Sequence, residues 1–250
     1  MNENNAVSDS PMTFLEHLEE FRTRILIAVA AILVASAVAF FLSQPLLNVL
    51  LLPAGGMKLN AFGIMDGFMI KWRIALYTGI TIAFPIWAYE LYSFIAPAMM
   101  PTEKKIVFPV LVGSLTLFII GAIFGFYLLY GMIRVLIQLF PEQVNPLLSA
   151  DEYISFVIFF LLACGLAFQL PVLLTLLVQF RILSATLLRK QRRIAYFILF
   201  VFAEIITPVS DPIVAPLTVM VPMLLLYELS IFFAVRIEAG RKKDSLENPA

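Results

Sequence analysis

The stretch Ser93-Phe94-Ile-Ala-Pro97-Ala-Met-Met-Pro101-Thr-Glu103-Lys104-Lys105 lies between two long apolar segments and sets how they are joined. Each proline removes a backbone donor and pushes its predecessor out of the helical region, so the stretch cannot be helical throughout. It reads as a stiff, exposed loop. An aromatic ring, Phe94, stands where the apolar run stops, and a carboxylate, Glu103, stands just past the second proline.

Working outward, the composition is that of a membrane protein. Of 250 residues, 62% are hydrophobic and only 14% charged, with mean hydropathy +0.97, far above the usage of soluble domains, which are roughly half apolar. Met1 to Pro11 is acidic and polar without a basic n-region, so the first apolar span is expected to remain as an anchor. The single cysteine, Cys164, falls inside an apolar run. It forms no disulfide framework and reads as a buried structural thiol.

The expected fold is an all-α integral membrane protein of six transmembrane helices, the last two short. Residues 1–12 read as a disordered tail, 13–236 as the six-span core and 237–250 as a charged, disordered tail. Thr13-Phe-Leu-Glu16 has the pattern of a capping box. Phe14, Leu15, Leu18 and Phe21 fall on one helical face, so this segment is expected to lie along the interface before the first span. The spans are read at about 25–42, 68–94, 106–130, 153–178, 194–206 and 213–235, judged against the ~30 Å of hydrocarbon a helix must cross. The fifth offers only roughly 20 Å of helix, and the sixth is split by Pro216 and Pro222. Such a pair implies local thinning of the bilayer or tight packing on neighbours.

The basic residues orient the bundle. With both termini on one side, that side carries Arg22, Arg24, Lys104, Lys105, Arg181, Arg189, Lys190, Arg192, Arg193, Arg236, Arg241, Lys242 and Lys243. The opposite side carries Lys58, Lys71, Arg73 and Arg134. This bias places both termini, and the loop from Ser93 to Lys105, in the cytoplasm.

Five motifs along the chain now stand in order: His17-Leu-Glu19-Glu20-Phe-Arg22; Phe94-Ile-Ala-Pro97 followed by Glu103-Lys-Lys; Asp151-Glu-Tyr153; Phe168-Gln169-Leu-Pro171; and Thr207-Pro208 with Asp211. Together they resemble the TatC family, the polytopic subunit of the twin-arginine protein translocase, from about Thr13 to Arg236. The resemblance implies a receptor in a prokaryotic inner membrane that binds signal peptides bearing paired arginines at the cytoplasmic face. It also implies recruitment of single-span TatA-type and TatB-type partners, self-association in a larger complex, and export of folded proteins on the protonmotive force. No enzyme activity, cofactor, metal or nucleic acid is implied. In keeping with this, the chain has no Gly-x-x-x-x-Gly-Lys-Ser/Thr pattern, and its lone histidine, His17, makes neither a metal site nor a triad.

The chemistry of recognition can be read from the residues. Adjacent arginines present planar, permanently charged forks that carboxylates pair with bidentately, in a way lysine cannot copy. The resemblance assigns Glu20 and Glu103 to the arginine pair and Phe94 to apolar contact beside it, with Glu19 and Arg22 as neighbours. Spacing alone also fits solvated charges pairing with Arg24 and Lys104, and an ordinary interfacial aromatic at Phe94.

Carboxylates inside hydrocarbon are costly and seldom accidental, which singles out Glu90, Glu204 and Glu228, with Gln169 beside them. Glu228 matches a family acid in the last span and is read as the deepest of these. Gln169 stands where many relatives carry glutamate. An amide can bond a neighbouring helix but cannot take up a proton, so polar contact between helices is the reading preferred here. Pro53, Asp66 and Asp151 resemble the family's periplasmic cap, and Thr207 and Asp211 its docking region for partner helices. A six-span secondary transporter of a small solute is the competing class. It would often show inverted repeats with paired helix breaks, whereas Pro85 and Pro171 interrupt spans that run in the same direction. An intramembrane hydrolase lacks support, there being no His-Glu-x-x-His or Gly-x-Ser-x-Gly.

Overall fold

The computed structural model describes residues 14–95, 107–138, 141, 147–207 and 214–247. Among these residues the regular structure is helical apart from one isolated parallel bridge, Asn60 with Ser149. In chain order the helices are α1 (Phe14–Phe41), α2 (Ser43–Leu50), a 3-10 turn (Leu52–Ala54), α3 (Asp66–Ile82), α4 (Phe84–Ile95) and α5 (Val107–Gln138). They continue with α6 (Ala150–Ala167), α7 (Leu170–Gln179), α8 (Ala185–Lys190), α9 (Arg192–Ile206) and α10 (Val214–Glu247). Among the described residues four stretches are long and apolar enough to cross a membrane: α1, α5, α6 with α7, and α10. A fifth is the broken pair α3 and α4, bent by 51°. The protein is therefore a multi-span helical membrane protein. With 15 residues, α9 is too short to join them.

The breaks have local causes. Pro85 in the first turn of α4 lacks an N–H and the chain bends there. The Trp87 indole N–H donates to the Ile80 carbonyl at 3.0 Å and closes one of the acceptors left at the end of α3. Between α6 and α7, Pro171 occupies the first turn of the new helix, where its missing donor is harmless. At the start of α6, Ser149 caps the Glu152 N–H, and Asp151 and Glu152 sit in the positive first turn.

The core is built around α6. Half of its span is buried against 6% of α1, and Ile154, Val157 and Phe160 are fully enclosed. Close approach to α5 depends on small residues. A Cβ on Gly121 would fall 2.8 Å from the Cys164 carbonyl oxygen, and one on Gly125 would fall 2.9 Å from the Cys164 Cβ. The Gly-x-x-x-Gly spacing lets the two backbones meet. Cys164 itself is buried in this contact.

Three expectations are corrected. The segment expected to lie along the interface ahead of the first span is part of α1, whose candidate span begins at Leu15. No proline or glycine between Phe14 and Phe41 supplies a break. The last span is not short: α10 runs for 34 residues, with Pro216 in its first turn and Pro222 costing one ladder bond without ending the helix. The region from 237, expected to be disordered, stays helical to Glu247. It is tied down, since Arg241 donates to the Val178 carbonyl at 3.1 Å and to that of Gln179, and Glu238 accepts from the Ala185 N–H at 2.8 Å. Of the loop from Ser93 to Lys105, residues up to Ile95 belong to α4 and the remainder lies outside the described residues.

Where α1 and α3 cross, a Cβ on Gly79 would stand 2.0 Å from Ser36 Oγ and 2.6 Å from the Ser36 backbone nitrogen. Gly79→Ala is therefore expected to destabilise the protein by about 1–3 kcal/mol through overpacking. Gly113→Ala, which meets open space, should be neutral. Thermal unfolding of the two variants in detergent measures the difference.

Candidate functional site

The start of α1 and the end of α4 come together at one end of the bundle. Helical spacing puts His17, Phe21 and Arg24 near one face of α1, and Glu90 and Phe94, four apart, on one face of α4. The His17 ring stacks on Phe94 with centroids 4.4 Å apart, and the Phe21 ring lies 5.1 Å from the same residue. A turn further into the bundle, the Arg24 guanidinium donates to Glu90 Oε2 at 2.9 Å and to Glu20 Oε1 at 3.3 Å. One fork thus stands between carboxylates of two helices. Among the described residues the trio sets two carboxylates against one guanidinium, and Glu20 Oε2 is buried without a hydrogen-bond partner among them.

This rim gathers some of the sequence candidates and not others. Glu20 and Phe94 belong to it, while Glu19 and Arg22 are exposed beside it and Glu103 lies outside the described residues. Glu90, grouped by sequence with the intramembrane carboxylates, is a rim residue, buried against Arg24. Its spacing of four from Phe94 was the available signal.

The other polar candidates make structural contacts. Gln169 Oε1 accepts from the Ser114 hydroxyl at 2.6 Å while its Nε2 donates to the Ser114 carbonyl at 3.0 Å, a two-point clamp from the α6–α7 break to α5. Glu228 accepts from Arg192 and from the Tyr196 hydroxyl, both at 2.6 Å. Because Arg192 opens α9, Glu228 lies level with that helix's first turn rather than deep in the bundle. Glu204 is partly exposed on α9, and Thr207 is buried at its end with its hydroxyl donating to the Ala203 carbonyl at 2.7 Å. Asp211 lies outside the described residues.

At the opposite end a cap covers the bundle. Pro53 is buried there. Asp66 Oδ2 accepts from the Phe62 and Gly63 N–H groups, both at 2.8 Å. Asp151 pairs with Arg73 at 2.7 Å, and the Tyr153 hydroxyl donates to the Leu50 carbonyl at 3.1 Å. Asn60 is stitched to the segment before α6, donating to the Leu148 carbonyl and accepting from the Ala150 N–H, each at 2.9 Å. Among the described residues no cluster of His, Cys, Asp and Glu is arranged to hold a metal.

The fold and this rim define a multi-span helical membrane protein with a guanidinium-holding acidic cluster at one end and a hydrogen-bonded cap at the other. A family model described as "Sec-independent protein translocase protein (TatC)" matches residues 16–222. The TatC protein of Carboxydothermus hydrogenoformans is 36% identical over 91% of this chain and 95% of its own length. The TatCy protein of Bacillus subtilis is 33% identical over 94% of this chain and 93% of its own. Among solved structures, "Crystal Structure of Twin Arginine Translocase Receptor- TatC" aligns with a TM-score of 0.78 at 33% identity, covering 89% of this chain and all of that one. The chain belongs to the TatC family of Sec-independent protein translocase proteins.

The Gln169 clamp yields a test. Gln169→Leu leaves the Ser114 hydroxyl and carbonyl without these partners inside the bundle, and a loss of about 1–3 kcal/mol is expected. Thermal unfolding in detergent should show it, and an unchanged midpoint would mean the clamp contributes nothing.

Proposed function

We propose that this chain is the signal-peptide receptor and assembly core of a twin-arginine translocase in a prokaryotic inner membrane. The observation that carries this reading is the convergence of Glu20 and Glu90 on one guanidinium beside the Phe94 ring. A site that already holds this group is chemically suited to the paired arginines of a signal peptide, and Phe94 and Phe21 suit the apolar residues beside them. Glu103 supplies a further carboxylate from the adjoining loop, and Glu19 and Arg22 flank the entrance.

In this reading α9 is a sixth crossing despite its length. Six crossings return both termini to the cytoplasm, which agrees with the excess of Lys and Arg on that side. Single-span TatA-type and TatB-type partners dock near Thr207 and Asp211, alongside the exposed α9 side chains Phe197, Val201 and Ile205. Copies of the chain assemble with these partners into a larger complex. The protonmotive force drives export, and Gln169 takes no part in moving protons.

Two measurements test the proposal. Glu20→Ala and Glu103→Ala should each weaken crosslinking to a paired-arginine signal peptide by about one to two decades, the worth of one charge-assisted contact. Undiminished crosslinking in both variants, with normal accumulation, contradicts the site. For topology, cysteine replacing Lys58 should react with an impermeant thiol reagent added outside sealed cells, and cysteine replacing Arg189 should not. Cys164 is buried and stays silent. The reverse pattern contradicts the orientation.

A further inference from the structure

The rim carries a cation of its own, and that cation is the most exposed of the three charged groups that meet there. The Arg24 side chain is 30% exposed, against 18% for Glu20 and 10% for Glu90. The arginine has the longest and most exposed side chain of the three and can swing away from the cluster, whereas the shorter carboxylates are more deeply enclosed between two packed helices. Its bonds are of the kind a ligand arginine would make, an N–H fork onto carboxylate oxygens. Glu20 Oε2 meanwhile is buried with no hydrogen-bond partner among the described residues, an acceptor that Arg24 does not use.

We infer that Arg24 is an internal stand-in for the ligand. It occupies Glu20 and Glu90 in the empty receptor and is exchanged for an arginine of the incoming peptide, with Glu90 serving as a second acceptor in recognition. The inference rests on the receptor reading given above and deepens it. The receptor's apparent affinity is thereby lowered by the fraction of time its own arginine fills the site. The same factor applies to every ligand of the site, so the preference for arginine over lysine is left unchanged and comes from the match of a planar fork to the carboxylates, which the compact, strongly hydrated ammonium of lysine does not make.

The experiment measures binding of fluorescent peptides carrying paired arginines or paired lysines to the purified full-length protein in detergent. Arg24→Gln is expected to tighten arginine-peptide binding by about tenfold and lysine-peptide binding by the same factor, leaving the preference between them unchanged. Glu90→Gln should weaken arginine-peptide binding by about the same factor. A folded Arg24→Gln protein that binds equally or less well overturns the inference and leaves Arg24 as a structural tether between α1 and α4. Should Arg24→Gln fail to accumulate, Arg24→Lys keeps the charge and loses the bridging fork. Tighter arginine-peptide binding in that variant supports the exchange, and unchanged or weaker binding overturns it. Failure of the receptor reading looks different: the wild type then binds both peptides alike and Glu20→Gln changes nothing, and the inference falls with it.

Discussion

Hydrocarbon offers no hydrogen-bond partner, so every interruption of a membrane helix has to be closed from within the protein. This constraint accounts for most of the polar contacts seen here. The bend between α3 and α4 is closed by the Trp87 indole on the Ile80 carbonyl, and the break between α6 and α7 is clamped by Ser114 and Gln169. Isolated hydroxyls turn back on their own helices: Thr81 onto Tyr77, Thr116 onto Val112 and Ser230 onto Leu226. With its breaks sealed, the chain can fold prolines into its spans and pack α5 and α3 against α6.

The same accounting of charge separates two one-to-one pairs from the cluster where α1 meets α4. Arg73 with Asp151 and Arg192 with Glu228 are one-to-one pairs, each joining two elements with no net charge left over. At the junction of α1 and α4 the ratio is two carboxylates to one guanidinium. Such a surplus is unfavourable for stability, because like charges are held near each other with incomplete pairing. Stacked rings of His17 and Phe94, with Phe21 beside them, wall the cluster on one side and put apolar surface next to the charge.

Much of this was legible in the sequence, and the rest was hidden for identifiable reasons. Apolar run length picked out the four long helices and the broken pair that can cross a membrane, and Phe94, at the end of its run, lies in the last turn of α4. Composition misled at both ends of the chain. The charges around Glu16 to Arg24 suggested a separate interfacial segment, but helix continuity is decided by the absence of a breaker. Those after Arg236 suggested a free tail, but Glu238 and Arg241 have distant partners. The spacing of Gly121 and Gly125 was a readable helix-contact signal that apolar counting passes over. Ser114 with Gln169 and Arg73 with Asp151 join residues 55 and 78 positions apart. No local pattern announces such pairs, because only the packing of whole helices brings them together.

The least conventional element is α9, and its contacts give its length a meaning. Its 15 residues rise about 22 Å. Glu228 lies about 21 Å along α10 from Val214, so the Arg192–Glu228–Tyr196 cluster sits at one end of α9 and buried Thr207 at the other. Polar groups therefore bracket an apolar height well below the ~30 Å of a typical hydrocarbon core. Between them Ile194, Phe197, Ile198, Val201 and Ile205 remain exposed, recurring at intervals of three and four on one helical face. A charged cluster of this kind resists being drawn into lipid. Under the proposed topology, in which α9 crosses, the mismatch is relieved by thinning the bilayer along this face or by covering the face with another helix.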